Sequence, residues 1–418
     1  MRPFWFAPRA PEQAAHAPTR CGIDSFEIAR MERWLRETPP EDLSKLFSAQ
    51  ELQDSEPGPR RSASLAARFA AKEACLKLFP RETALGTLQP ADFSVVRDSY
   101  GAPQAVYSPA AFDVLARYRI EAIALSLTHD RSSAAAVALA KPIHTEVSLS
   151  GRLFYHLLPY RRKVMLENMR RVFGETVPEH EIRRLAQAHY AHIWRLIVEF
   201  LWFPLLPMSQ RSKLVRVENE DVLRRAHAQG KGVLLLTGHF GNFEVATAAG
   251  IAQFPEAHGH FHFVRRPFKP RWLEKFVYQR SLRIGFGSLP KQGSLDLFIA
   301  RLTAGDIVLF PFDQHAGGRD GIEVDFFGHP AGTFRSLALI ACATGAPVVL
   351  AASWREPDGR HVLRFEEPLI PIECEDYDEE IRRNTRAYNA ALERLILRHP
   401  EQWWWMHRRW KSRRNERS

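Results

Sequence analysis

Two short runs of this 418-residue chain place chemistry-bearing side chains at spacings that let them work together. In RSASLAARFAAKEACLKLF, residues 61–79, Glu73 and Lys77 stand four apart. On a helix that spacing puts them one turn apart on one face. A carboxylate beside a lysine suits a hard cation and the phosphate that the cation bridges, because Mg²⁺ takes one or two carboxylates plus phosphate oxygens. It equally suits an ordinary surface ion pair, which contributes little. In KGVLLLTGHFGNFE, residues 231–244, His239 and Glu244 stand five apart. A regular helix would turn them about 140° away from each other. They meet only if His239 lies in a turn before the helix, which Gly238 and Gly241 permit. A carboxylate that fixes the tautomer of an imidazole makes the histidine a general base for acyl transfer. Taken alone, this spacing carries little in a chain with 17 His and 48 acidic residues.

The surrounding patterns supply the elements. Residues 61–79 are rich in Ala, with Leu65, Phe69 and Leu76 at spacings of four and seven, which predicts a helix. Pro80 ends it. Residues 122–127 and 134–140 are apolar runs split by a polar stretch and read as a β-hairpin, although the alanine-rich second run also suits a helix. Residues 231–237 read as a buried strand and 245–251 as a helix, so His239 falls where a strand ends and a helix begins. That edge of an α/β sheet is where ligands bind. Residues 338–354, broken by Gly345 and Pro347, read as helix, turn and buried strand.

Composition bounds the rest. With 45% hydrophobic and 25% charged residues, the chain is globular rather than disordered. Four scattered cysteines, with no CxxC pair, exclude a disulfide framework or cysteine zinc site and favour a reducing, cytoplasmic setting. Residues 1–20 read as a loose tail, 21–140 as a first unit, 141–150 as a linker, 151–412 as a second unit and 413–418 as a basic tail. The net charge of +10 is uneven: −2 over 21–140 and +10 over 141–418. A basic second unit suits anionic lipid, phosphate or an acidic protein, and no nucleic-acid module accompanies it. No run reaches the ~18 apolar residues of a spanning helix, and the N-terminus lacks the apolar region of a signal peptide. The best run, 193–208, is an amphipathic stretch with Trp202 and Phe203 toward its apolar end.

In the first unit, Gly22-Ile23-Asp24, Glu27-Ile28-Ala29-Arg30, RFAAKEACLK, Gly101-Ala102-Pro103 and LSLTHD occur in order. This set resembles the acyl-carrier-protein-synthase type of 4′-phosphopantetheinyl transferase over about 120 residues. The resemblance implies an α+β module that transfers phosphopantetheine from coenzyme A to a serine of an acyl carrier protein with Mg²⁺, assembled as a trimer with sites between subunits. It implies that Asp24 and Glu73 hold the metal, Lys77 meets the coenzyme A phosphates, His129 and Asp130 line the coenzyme site, and Arg30 docks the carrier. One departure is that Gly86 arrives late after Pro80, where the family has an earlier glycine turn.

In the second unit, TGHFGNFE is joined by Arg161-Arg162-Lys163 with Asn168, Val264-Arg265-Arg266-Pro267, Pro311-Phe312-Asp313-Gln314, DFFGHPAGT (325–333) and QWWWMHRRW (402–410). Together these resemble the late lipid A acyltransferases. The resemblance implies an α/β domain with flanking helices, an acyl carrier protein thioester as donor and a lipid or glycolipid hydroxyl as acceptor. His239 would be the base and Glu244 its orienting carboxylate. Arg265 and Arg266 would bind acceptor phosphate or the reacting carbonyl, and Asp313 and Gln314 would shape the acceptor side. Thr333, after a glycine, is read as opening a helix that presents backbone donors. Trp403 to Trp405 read as packing or membrane-interface residues.

The expectation is therefore an α+β phosphopantetheinyl transferase module followed by an α/β acyltransferase domain, both serving one acyl carrier protein. The place of the family's membrane-spanning anchor is taken here by the first unit and the short run 149–160. Membrane contact would then depend on the basic clusters and the amphipathic stretch 193–208. That leaves a cytoplasmic protein, peripheral on the inner membrane. Two alternatives stand beside it: a non-catalytic first unit that only docks the carrier, and an acyltransferase that uses acyl-coenzyme A.

Overall fold

The computed structural model describes residues 20–411 apart from 56–57, 99, 204–205, 207–209, 211, 243–244, 247–249, 251–252, 255–258, 266–285 and 291–294. Contacts divide the chain into Met1–His144 with Thr176–Glu181, and Thr145–Glu175 with Ile182–Ser418. The grouping of Thr176–Glu181 with the first unit has no signal in the sequence; Thr176 Oγ1 donates to the Arg117 carbonyl at 3.0 Å.

In the first unit, β1 (Cys21–Glu27), β2 (Phe93–Arg97), β3 (Pro103–Tyr107), β4 (Ile120–His129) and β5 (Ser133–Pro142) form an antiparallel sheet in the order β1-β5-β4-β3-β2. The alanine-rich run 134–140 is thus a strand, and its small side chains explain why. Ala134, Ala136 and Ala138 are buried toward the helix Arg61–Leu76, whose Ala66, Ala70, Ala71 and Ala74 are also fully buried. Small residues on both sides let helix and sheet pack closely. Phe26, Trp34 and Phe69 close one end of this core, with ring centroids 4.8–5.2 Å apart. The helix ends at Leu76, earlier than the apolar pattern predicts, and Pro80 instead caps the next helix, Arg81–Thr87.

In the second unit, β6 (Val215–Glu218), β7 (Val233–Thr237), β8 (Phe261–Arg265), β9 (Phe286–Pro290), β10 (Ile307–Pro311), β11 (Gly321–Phe326), β12 (His329–Phe334), β13 (Val348–Arg355) and β14 (His361–Phe365) follow one another among the described residues. Seven of them form a sheet in the order β6-β14-β13-β7-β10-β8-β9, and β11 and β12 form a separate hairpin. Every neighbouring pair in the larger sheet is parallel except β13 with β14. All eight residues of β13 are buried, as are Val233, Leu234, Leu235 and Leu236 of β7. Continuous apolar strands of this kind belong to a sheet covered on both faces. The helix Ser336–Thr344 ends at Gly345, whose φ of 64° is the left-handed stop that lets the chain turn into β13.

Candidate active sites

Gly22 sets up the first site. A Cβ there would stand 2.0 Å from the carbonyl oxygen of Ala74, so only glycine lets β1 lie this close to the helix. Two residues on, Asp24 faces the same helix. Lys77 Nζ meets Asp24 Oδ1 at 2.5 Å and also donates to the Ile23 carbonyl at 2.9 Å. Burial raises the Glu73 carboxyl above its usual range, the Asp24 charge adds to this, and Lys77 opposes it. Two carboxylates that repel each other beside an ammonium are a donor set that fits a hard divalent cation. Asp24, Glu73 and Lys77 are therefore brought together.

The other residues of the first unit stand differently. His129 ends β4, paired through Ala134 of β5 to Phe26 of β1. That alignment gives it the helix-facing side of the sheet, roughly 12 Å from Asp24 across two strands. Asp130 forms the β4–β5 turn: its Oδ1 accepts from the backbone N–H of Ser132 at 2.7 Å and of Ser133 at 2.8 Å. These bonds, Ser133 first, hold its carboxyl below the ordinary range. Arg30 lies on the first turn of the helix Ile28–Glu37, its guanidinium 4.9 Å from the Phe26 ring centroid and 5.2 Å from that of Trp34.

The second site arises from strand register. β7 and β10 are parallel neighbours with Thr237 opposite Pro311. The residues two beyond each, His239 and Asp313, therefore emerge side by side at the C-terminal edge of the sheet. Asp313 is fully buried. Its Oδ1 accepts from His239 Nδ1 at 2.8 Å, its Oδ2 from the His239 backbone N–H at 2.7 Å and from Trp403 Nε1 at 2.9 Å. Burial alone would raise this carboxyl; the His239 charge and these three donors outweigh it and hold the group far below the carboxylate range. An ionised Asp on Nδ1 leaves Nε2 as the basic nitrogen. Gln314 Nε2 stands 3.3 Å from that nitrogen, and the His407 ring lies edge-on at 5.1 Å.

Glycines again permit the approach. A Cβ on Gly238 would stand 3.1 Å from Asp313 Oδ2. Gly241 has φ 58°, and a Cβ there would lie 2.3 Å from the Ser353 carbonyl oxygen. Beyond it, Asn242 caps the following turn by accepting from Val245 N at 3.1 Å and donates to Glu199 Oε2 at 2.6 Å. Glu199 is gripped by Arg355 through Nε at 2.7 Å and Nη2 at 2.5 Å, with His361 Nε2 at 3.4 Å. Burial would raise Glu199, but His361 and Arg355 lower it to about 2. His192, against Arg355, is kept neutral by burial and by that positive charge.

The C-terminal run wraps the same site. Trp404 N donates to the His239 carbonyl at 2.9 Å. Asn168 donates to the carbonyls of Trp405 and His407 at 2.8 and 2.7 Å, and Arg161 to that of Met406 at 3.1 Å. Arg409, fully buried and lowered by burial to about 10, binds the Gly332 carbonyl and Thr333 Oγ1.

Several expectations change here. The carboxylate on His239 Nδ1 is Asp313, where the sequence reading gave that role to Glu244. Glu244, the Arg266 side of the basic pair and the side chain of Arg265 lie outside the described residues. Thr333 does not open a helix: it lies buried in β12, and the helix begins at Ser336. Trp403 is more than packing, because its indole N–H holds Asp313. Asn242, Glu199 and Arg355 were not singled out from sequence; Asn242 stood in plain view within TGHFGNFE.

A base–carboxylate pair at the C-terminal edge of a mostly parallel sheet, preceded by a unit with a two-carboxylate and lysine cluster, defines a two-part transferase. Residues 138–412 match the bacterial lipid A biosynthesis acyltransferases, and the chain belongs to that family. Residues 20–138 match the 4′-phosphopantetheinyl transferase superfamily, so the chain is a fusion of the two. The lipid A biosynthesis lauroyltransferase of Escherichia coli is 26% identical over 268 residues, covering 63% of this chain and 83% of that protein. The phosphatidylinositol mannoside acyltransferase of Mycobacterium tuberculosis is 27% identical over 258 residues, 58% of this chain and 75% of its own. The holo-[acyl-carrier-protein] synthase of Moorella thermoacetica is 35% identical over 125 residues, 30% of this chain and 95% of its own. Both units are of transferase type.

Proposed function

We propose that the chain performs two transfers that share one acyl carrier protein. In the first unit, a carrier serine attacks the coenzyme A diphosphate: its oxygen bonds to the phosphorus bearing the pantetheine arm, the bridging P–O bond breaks, 3′,5′-ADP leaves and the serine proton passes to solvent. Mg²⁺, held by Asp24 and Glu73, would neutralise phosphate charge there. Lys77 exchanges Asp24 for a coenzyme phosphate, His129 borders the coenzyme site with Asp130 shaping its turn, and Arg30 meets the acidic carrier.

In the second unit, His239 Nε2 takes the proton of an acceptor hydroxyl as that oxygen bonds to the thioester carbonyl. The carbon–sulfur bond then breaks, and the thiol of the carrier's arm leaves with that proton. Asp313 orients the imidazole and balances its charge when protonated. Gln314, Arg265 and Arg266 bind the reacting carbonyl and the acceptor's phosphate. The acceptor is a lipid or glycolipid at the cytoplasmic face of the inner membrane, where the protein acts peripherally. The distances from Asp313 to His239 are the observation that carries this reading.

The test is intact-mass spectrometry of an apo carrier protein incubated with the chain, coenzyme A and Mg²⁺. A gain of one phosphopantetheine arm is expected, lost in Asp24→Ala and Glu73→Ala and kept in His239→Ala. Transfer from the acylated carrier to a lipid acceptor should show the reverse pattern. No gain on any carrier would reduce the first unit to a docking module.

A further inference from the structure

Two helices of the second unit leave one apolar face uncovered. In the helix Leu149–Leu157, Leu149, Leu153 and Leu157 recur every fourth residue and are exposed, Leu149 at 86% and Leu157 at 69%. In the helix Glu179–Trp202, the last turns expose Ile197, Val198, Phe200, Leu201 and Trp202, with Leu201 at 66%. Singly exposed apolar residues need no explanation; contiguous ones do.

These two faces adjoin. A Cβ on Gly151 would lie 2.6 Å from the Gln187 carbonyl oxygen, so the helices pack backbone to backbone there. The same Cβ would lie 2.9 Å from the Ala191 Cβ, and one turn on from Gly151 and Ala191, Phe154 stacks on Trp194 at 4.4 Å. The helices thus advance in the same direction, which carries Leu157 toward the end of the second helix that bears Val198 and Leu201. The exposed charges on these two uncovered helical segments are basic, with the acid Glu146 just ahead of Leu149. Residues 149–163 contain Arg152, Arg161, Arg162 and Lys163 and no acid. Arg195 is exposed, and the one acid of the second helix's last turns, Glu199, points inward to Arg355.

We propose that this face is the surface by which the chain docks on an anionic lipid bilayer. The leucines and Phe200 enter the acyl boundary, Trp202 and Tyr160 lie at the interface, and the arginines and Lys163 meet lipid phosphates. The same turn that carries Leu201 is tied by Glu199 to Asn242, three residues from His239. Docking therefore places the acyltransferase site beside the layer that holds a lipid acceptor. The inference rests on the acyltransferase reading of the second unit for its purpose, and on the exposed face and its charge for its existence.

Flotation of the full chain with vesicles tests it. Vesicles of phosphatidylethanolamine with phosphatidylglycerol should carry the chain up, and vesicles of phosphatidylcholine alone should carry much less. Leu157→Glu/Leu201→Glu should cut anionic-vesicle binding by about tenfold or more. Ile370→Glu should leave it unchanged: Ile370 is 86% exposed but follows Leu369, bonded at the start of β13, whereas Glu199 is bonded at its end. Equal binding by the double variant overturns the proposal, as does a parent chain that floats with neither vesicle. Loss of carrier binding or of self-association in the double variant, with flotation intact, also overturns it and assigns the face to a protein partner. Acyl transfer to a detergent-dispersed acceptor is measured in parallel. If it is absent from the parent while flotation depends on the two leucines, the acyltransferase reading fails and the docking surface stands.

Discussion

Asp313 holds His239 at two points, its Oδ2 on the backbone N–H and its Oδ1 on Nδ1. The first bond fixes where the residue sits; the second fixes the ring and its tautomer. Asp313→Asn separates the two roles. One amide oxygen cannot serve three donors, so the amide nitrogen must face a donor or drive the imidazole proton onto Nε2, the nitrogen the reaction needs unprotonated. Acyl transfer should fall about a thousandfold or more with the fold intact. Steady-state kcat together with a circular dichroism melt checks this, and a variant within tenfold of the parent would contradict it.

Trp403→Phe probes the remaining donor on Asp313. The replacement ring stays apolar and planar; the N–H to Oδ2 is lost, and the smaller ring leaves a cavity because Trp403 is fully buried. A charge-assisted bond of this kind contributes about 1.5–3 kcal/mol. With one donor fewer, the Asp313 carboxyl is less depressed. A carboxylate with one donor fewer also holds the protonated imidazole of His239 more strongly, so the acid limb of the pH profile should move to higher pH, with kcat reduced and KM little changed. A tryptophan that only packs would leave that limb in place.

Much of this was readable beforehand, and the reason for the misses is specific. Residues 231–237 and 307–311 are short apolar runs, and each is followed at the same offset by a polar residue able to do chemistry. Two parallel strands in register bring such residues together, so His239 with Asp313 was within reach of the sequence. The His–Glu spacing drew the reading to a partner nearby in the chain. The strand order that makes β7 and β10 neighbours is not written in either run. In the first unit, the spacing of Glu73 and Lys77 placed two residues of the cluster, and Asp24 came only from the family resemblance. Local spacing survives folding when one helix carries two of the three groups. The link from Asn242 through Glu199 to Arg355 joins residues 43 and 156 positions apart, and no periodicity announces such a contact.

That buried network should give the second unit a pH signature in two steps. His189 is lowered by burial to about 4. An unfolded histidine takes up its proton near 6.5, so stability is lost as pH falls from about 6.5 toward 4, by at most about 1.4 kcal/mol per pH unit for each proton. His192, lowered by burial and by Arg355, adds in the same direction. Glu199 acts lower: its stabilisation is complete above the ordinary glutamate range near 4.3 and lost as pH falls toward its folded value of about 2. Urea titrations across pH should show His189→Asn with a shallower loss between 6.5 and 4. Glu199→Gln, which strands Arg355, should cost about 3–5 kcal/mol at pH 7. That gap should narrow only below about pH 4.3. A gap that closes already at pH 6 would place the interaction elsewhere.

The first unit carries a buried ion pair of its own, and it yields a prediction about orientation as well as stability. Lys72 and Glu51 are both fully buried, with Nζ 2.8 Å from Oε2. Lys72 also donates to the Phe93 carbonyl at 2.7 Å, and Glu51 accepts from Val95 N and Ser48 N at 2.9 and 2.8 Å. Burial lowers the Lys72 ammonium and Glu51 opposes this. The pair ties the helix Arg61–Leu76 to β2, and Glu73, the residue after Lys72, meets Asp24 from the same helix. Lys72→Met alone leaves Glu51 charged and buried, and should cost about 3–5 kcal/mol. Lys72→Met/Glu51→Leu should recover most of that stability, since an apolar pair fills the space without a stranded charge, although the backbone N–H groups of Val95 and Ser48 lose their acceptor. If the pair also sets how that helix is rotated, the double variant should fold yet need more Mg²⁺ for phosphopantetheine transfer. Chemical denaturation and a Mg²⁺ titration separate the two effects. Recovery of stability together with an unchanged Mg²⁺ requirement would leave the pair a structural role only.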